Sequence, residues 1–294
     1  MTGFHGRGKR HAYFEGWYLK HQNQAETVAL IPAFHTDHAG QASASLQVIT
    51  ENGHIHLDFP AHAFSAKQER FRVQVGDCVF TERGCDLHVN QKHCMLSGRL
   101  AYGPLTPLHG DIMGPFRFVP FMECRHSVFS LSHRVDGEVS LNGRSIVFEN
   151  AAGYMEGDRG RSFPRRYLWT QCGWAGNCVM LSVADIPFAG TGFTGCIGMV
   201  YVHGMQRRIA TYLGAKIVDI SDETAVVRQG KLTLTVKLLQ GRPHMLRAPD
   251  SGGMTRMIRE SPSCRVAYRC VAGDEILLDF VSDRASFEGN WGMP

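Results

Sequence analysis

Apolar and polar residues alternate along this chain with a period of two, and no stretch of 12 residues or more keeps the 3.6-residue period of an amphipathic helix. Successive side chains of a strand point to opposite faces, so Leu232, Leu234, Val236 and Leu238 in KLTLTVKLL give one buried face and one polar face. Similar segments recur at 28–34, 45–50, 71–75, 94–100, 128–135, 167–172, 178–185, 195–204, 207–220, 264–271 and 275–282. Turn dipeptides punctuate them: Asn52-Gly53, Gly76-Asp77, Asp136-Gly137, Asn142-Gly143, Gln229-Gly230 and Gly273-Asp274. The expectation is an all-β, antiparallel fold with few short helices, built as a barrel or sandwich. A barrel of this kind takes about 150 residues, so two barrel-like halves fit 294 residues. A short echo places the join: FEGW at 14–17, YMEGDRG at 154–160 and FEGNWG at 287–292. The expected halves are therefore 1–155 and 156–294.

Composition narrows the function classes. The 31 basic residues are nearly matched by 27 acidic ones, a net charge of +4, so no nucleic-acid footprint is implied. No run of about 18 apolar residues is present, which predicts no membrane span, and no apolar segment follows the basic residues at the start, which argues against a secretory signal. The nine cysteines include no C-x-x-C pair and read as buried thiols of a cytoplasmic protein. Oligomeric state is not encoded in any of these patterns.

Three motifs are weaker than they look. Gly190-Thr191-Gly192-Phe193-Thr194-Gly195 matches G-x-G-x-x-G but leads into a strand pattern, without the helix whose N-terminal amides would hold a pyrophosphate. His54, His56 and Asp58 alternate on one strand face, with His35 and His38 nearby, and could hold a metal, although a polar outer face explains them more simply. No G-x-S-x-G elbow and no activated Ser or Cys is present, so an acyl-enzyme is not indicated.

Two segments carry acid chemistry. In 111–134 the apolar surroundings of Glu123 and His126 would desolvate them, which raises a carboxyl pKa toward that of a general acid. Pairing of Glu123 with Arg125 or Arg117 is the structural alternative. In 153–171 Glu156 and Asp158 share one strand face, with Arg159 and Arg161 on the other. Two carboxylates in one environment push each other's pKa values apart, giving a donor and an anion. Tyr167 and Trp169 offer flat apolar faces that can shield a cation. A corner of arginine-neutralised carboxylates is the competing structural reading.

YFEGWYLK at 13–20, MECRH at 122–126 and GYMEGDRGRSFPRRYLWTQ at 153–171 together resemble the tocopherol cyclase-like proteins. Near the last segment that family runs approximately G-Y-x-E-x-D-W-G-x-S-F-P and then W-x-W-x-Q. This chain matches at Gly153, Tyr154, Glu156, Asp158, Gly160, Ser162, Phe163, Pro164, Trp169 and Gln171, and departs at Arg159 and Tyr167. The resemblance implies two lipocalin-like (calycin) barrel halves, related to the carotenoid hydratase-like proteins. It also implies a proton-initiated ring closure that uses no cofactor. The arginine, where plant enzymes carry tryptophan, suits a more polar ligand.

The resulting expectation is an isomerase or cyclase acting on a small apolar, aromatic or prenylated phenol-type molecule. Glu156, Asp158 and Glu123 are the candidates for proton transfer, with His126 as partner. Trp169, Tyr167, Trp17 and Tyr154 would line the ligand, with Gln171 and Arg159 contacting its polar groups. No metal ligand is assigned. A binding protein without catalysis, and a lyase or hydratase using the same acid, are the alternatives.

Overall fold

A computed structural model describes residues 3–119, 122–188 and 191–292, with backbone alone at 188 and 191. Eleven strands come first: β1 (Tyr13–Gln22), β2 (Thr27–Thr36), β3 (Ala42–Thr50), β4 (Gly53–Pro60), β5 (Phe64–Ala66), β6 (Arg72–Val75), β7 (Cys78–Thr81), β8 (Gly84–Gln91), β9 (Cys94–Tyr102), β10 (Cys124–Leu141) and β11 (Arg144–Gly160). Ten follow: β12 (Tyr167–Trp174), β13 (Asn177–Phe188), β14 (Thr191–Val202), β15 (Met205–Ala210), β16 (Lys216–Ile220), β17 (Thr224–Gln229), β18 (Leu232–Gln240), β19 (His244–Asp250), β20 (Gly253–Ala272) and β21 (Glu275–Gly289). The helical elements among the described residues are three 3-10 turns at Ala61–Ala63, Gly114–Phe118 and Thr211–Leu213. The expected all-β antiparallel architecture is what forms.

The strands make two large sheets. The first runs β4-β3-β2-β1-β11-β10-β9-β8-β7-β6-β5, and the second β15-β14-β13-β12-β21-β20-β18-β17-β16 with β19 beside β20. Both follow one plan: sequential hairpins spread outward, and the first strand of each set pairs with its last, β1 with β11 and β12 with β21. The sequence echo falls on these strands, FEGW on β1, YMEGDRG on β11 and FEG on β21. Hairpin chemistry holds locally. Asn142 (φ 52°) and Gly143 (φ 83°) both take the left-handed conformation that a two-residue type I′ turn requires, joining Leu141 to Arg144. The segment 207–220, which alternates as one strand, is broken by the 3-10 turn at Thr211–Leu213 and Gly214 (φ 85°), giving β15 and β16.

The chain divides into two compact units. Unit 1 is Met1–Leu108, Cys124–Phe163 and Arg247–Arg256, and unit 2 is His109–Glu123, Pro164–Leu246 and Met257–Pro294. Unit 1 has an apolar core of residues such as Trp17, Leu30, Leu46, Phe80, Phe148 and Met155. Unit 2 has its own, with Leu168, Val179, Leu181, Val200, Val236 and Phe287. All nine cysteines are free thiols, eight of them buried, and burial raises those of Cys78 to about 11 and Cys85 to about 12. No helix among the described residues is long and apolar enough to cross a membrane.

The core assigns a face to every residue of the central strands. Trp17 and Leu19 on β1 and Met155 on β11 point into the core of unit 1. Strand alternation therefore puts Phe14, Gly16, Tyr18 and Lys20, and opposite them Tyr154, Glu156 and Asp158, on the other face of the sheet. That second face is also buried: Lys20 is 2% exposed, Tyr154 2% and Glu156 4%. The strands are consequently apolar or large on both sides, and charge is sequestered on the side away from the core.

Candidate functional site

The second face of unit 1 holds a cluster of three ionisable side chains. His126 lies opposite Asp158 in the β10–β11 register, and Val128 opposite Glu156. His126 Nδ1 is 3.0 Å from Asp158 Oδ1, and Nε2 is 3.2 Å from Glu156 Oε2. The first contact is a hydrogen bond. The second is an ion-pair contact without hydrogen-bond alignment, so buried Nε2 has no aligned partner. Tyr154 donates its hydroxyl to the same Glu156 Oε2 at 2.5 Å, and Cys124 Sγ approaches Asp158 Oδ1 at 3.4 Å.

Electrostatics fix the resting state. Burial alone would lower the His126 pKa, but Glu156 and Asp158, by charge and contact, outweigh it and hold the ring well above the ordinary histidine value. The protonated ring is therefore favoured, facing Asp158 through Nδ1 and Glu156 through Nε2. Asp158 is the more accessible carboxylate, its side chain 24% exposed against 6% for Glu156.

His126, Glu156 and Asp158 each offer one ligand atom within 4.8 Å of the others, the spacing of a metal-ligand group. In the arrangement present, the two carboxylates approach different ring nitrogens of His126.

The structure brings together four of the residues singled out from sequence, Glu156, Asp158, His126 and Tyr154. Glu123 lies one residue before β10, half-buried, and belongs to unit 2. Trp17 is packed in the core of unit 1, its ring centroid 5.8 Å from that of Phe71 and 6.5 Å from that of Phe4, on the face away from Glu156. Arg159 reaches Ser127 Oγ at 3.4 Å and is partly buried. Tyr167, Trp169 and Gln171 form a separate group on β12, on the face opposite Leu168 and Cys172 of the second core. There Tyr167 donates to Glu288 Oε1, and Gln171 Nε2 contacts Cys178 Sγ at 3.7 Å.

Some of what matters escaped the sequence pattern. Lys20, Tyr18 and Cys124 stand on the acid cluster's face or touch it, and the first two emerge only from the β1–β11 register. The echo also has a chemical meaning: Glu15, Glu156 and Glu288 are all buried and each accepts a tyrosine hydroxyl, from Tyr13, Tyr154 and Tyr167. The histidine row proves polar but partly sequestered, with His56 Nε2 on Asp58 Oδ1 at 2.9 Å. Of the glycine-rich motif, Gly190 lies outside the described residues, and Thr191–Val202 is a strand.

No family model matches the sequence, and no curated protein sequence matches it. Solved structures do match in shape. One is a crystal structure of a protein assigned as an AttH of Nitrosomonas europaea, with TM-score 0.52 and 11% identity over 95% of this chain and 92% of that one. Another is kievitone hydratase from Nectria haematococca, with TM-score 0.54 and 9% identity over 95% of this chain and 89% of that one. Over nearly its whole length, this chain has the fold of those two proteins.

Proposed function

We propose that this protein is an acid catalyst that adds a nucleophile across a carbon–carbon double bond of a small, largely apolar, aromatic or prenylated phenol. The observation that carries the reading is the buried His126 ring held between two carboxylates, 3.0 Å from Asp158 Oδ1 through Nδ1 and 3.2 Å from Glu156 Oε2 through Nε2, which favour its protonated form. The edge of the ring that faces Glu156 delivers the proton to the alkene. The cation left behind faces two carboxylates and a neutral ring, an arrangement that stabilises positive charge most where water is excluded. The substrate's own phenol oxygen then closes the ring and returns its proton to the cluster, so no proton is consumed and no redox partner is needed. Tyr154 holds Glu156 in place and offers a π face near the developing charge.

Hydration is the second reading, supported by the fold shared with kievitone hydratase. It uses the same proton, and water in place of the phenol oxygen captures the cation. Turnover of 2-prenylphenol in heavy-oxygen water separates the two, since label enters a hydration product and is missing from an intramolecular closure. Glu156→Gln should lower kcat by about 10²-fold or more while ligand affinity changes little. A variant with unchanged kcat would remove Glu156 from the reaction.

The pH dependence has a definite sign. His126 stays protonated until pH rises through its raised pKa, so the rate should be sustained at neutral pH and fall on the alkaline side. Asp158→Asn removes one of the charges that hold the proton, and burial then counts for more. The alkaline limb should move to lower pH. An unmoved limb would show that another group donates the proton.

A further inference from the structure

The donors of the acid cluster are also spaced for a metal ion. His126 Nε2 and Glu156 Oε2 lie 3.2 Å apart. Two ligands of a tetrahedral zinc ion, each bound at about 2.0–2.1 Å, stand about 3.3 Å apart. The two atoms are not aligned as a hydrogen bond, although the ring that carries Nε2 is only 9% exposed. A proton shared by two atoms lies near the line between them, whereas an ion chelated by both lies to one side of it. The misalignment is therefore the geometry of a chelating pair.

The rest of the cluster supports an ion at that place. Nδ1 of the same ring donates to Asp158 Oδ1 at 3.0 Å. A histidine that binds a metal through one nitrogen commonly gives its other N–H to a carboxylate, which fixes the ring and makes it a better ligand. Asp158 already stands in that position. Tyr154 donates to Glu156 Oε2 at 2.5 Å and steadies the second ligand, whose oxygen keeps another lone pair for the ion. With the ring neutral, the two carboxylates carry two negative charges, and a divalent ion neutralises both where a proton neutralises one. An imidazole nitrogen beside carboxylate oxygens suits zinc over magnesium or calcium, which take oxygen ligands. Asp158, its side chain 24% exposed, marks the accessible side of the cluster.

We propose that zinc, or another divalent first-row ion, binds between His126 Nε2 and the Glu156 carboxylate, with Asp158 orienting the ring and water completing the shell, and that the bound ion blocks turnover. The ion takes the place of the Nε2 proton, which leaves to solvent. The donor of the proposed reaction is then gone for as long as the ion is held. The block rests on the acid-site reading, whereas the ion site stands without it.

Titration of the chelator-treated full chain with Co2+, whose tetrahedral complexes absorb visible light strongly, tests the site without substrate. One ion per chain should give the bands, and Zn2+ should remove them. Glu156→Gln, which takes away a ligand, should weaken binding by about tenfold or more, and Asp158→Asn, which takes away the orienting carboxylate, by about 10- to 100-fold. His56→Gln, in the alternating row on β4, should leave the titration unchanged. Should Glu156→Gln fail to fold, Asp158→Asn carries the test alone. Wild type without the bands overturns the proposal, as do bands that survive both substitutions or vanish in His56→Gln. Turnover of 2-prenylphenol is measured separately, and saturating Zn2+ should lower it by about 10²-fold, with recovery on adding a chelator. Glu156-dependent binding of the ion with turnover absent or undiminished keeps the ion site and rejects the acid reading together with the block. Turnover by a chain that binds no ion does the reverse.

Discussion

At the scale of single residues, close packing explains identities that chemistry alone does not. Gly153 opens the 153–171 segment, and a Cβ there would sit 2.2 Å from His133 Nε2. The His133 ring cannot step aside cheaply: it packs 4.8 Å from the Tyr102 ring and its Nδ1 is bonded to Ser130 Oγ at 3.0 Å. Gly153→Ala should therefore destabilise the protein by about 1–3 kcal/mol, the usual cost of overpacking, read as a lower urea midpoint. An unchanged midpoint would mean that the ring has room. The sequence showed the glycine as part of a motif but not its reason, because His133 is 20 residues away in β10 and meets it only through strand register. Glu156 and Asp158 were legible for the opposite reason. Their shared face follows from spacing alone, whereas their partner His126 needed the β10–β11 pairing.

At the scale of elements, the first sheet bends where glycines press on the next strand. Gly98 on β9 has φ 141°, and a Cβ there would lie 2.2 Å from Glu138 O on β10. Gly137 on β10 has φ 131°, with Arg99 O at 2.1 Å from its would-be Cβ. Such kinks let a sheet curl around its core. Gly98→Ala should cost about 3 kcal/mol or more, whereas Gly143→Ala, in an open turn with nothing within 4 Å, should cost about 1–2 kcal/mol for its left-handed backbone alone. Equal costs in denaturant titrations would remove the curvature argument. Strand identity was readable from period-two alternation. The pairing of β1 with β11 was hinted at only by a four-residue echo, because sequence pattern carries no long-range register.

At the scale of the whole molecule, buried histidines set the acid limit of stability. His21 is pushed down to about 4, and His35 and His133 to about 3, chiefly by burial. Unfolded histidine titrates near 6.5, so below that pH the unfolded chain binds up to three more protons than the folded one. The stability these groups confer is complete above about pH 6.5 and is lost as pH falls toward 4 to 3, at up to about 4 kcal/mol per pH unit. His126 works in the opposite sense, its contribution present below 6.5 and lost as pH rises through its raised pKa. Unfolding free energies measured at pH 7, 6, 5 and 4 should drop steeply on the acid side. A flat profile between 7 and 5 would show that these rings are protonated in the folded state.

Unit 1 includes Arg247–Arg256, whose backbone bonds Gly252 N to Arg161 O and Pro249 O to Phe163 N. A ribosome makes these residues long after it has finished β1 to β11. The first half of the chain must therefore wait, its acid cluster assembled from early strands but its own unit unfinished, until a segment from the last sixth of the protein has been synthesised. Stalled or truncated translation products ending before residue 247 should be protease-sensitive in their first half as well as their second. For a protein of this plan, the order of synthesis and the order of completion are different.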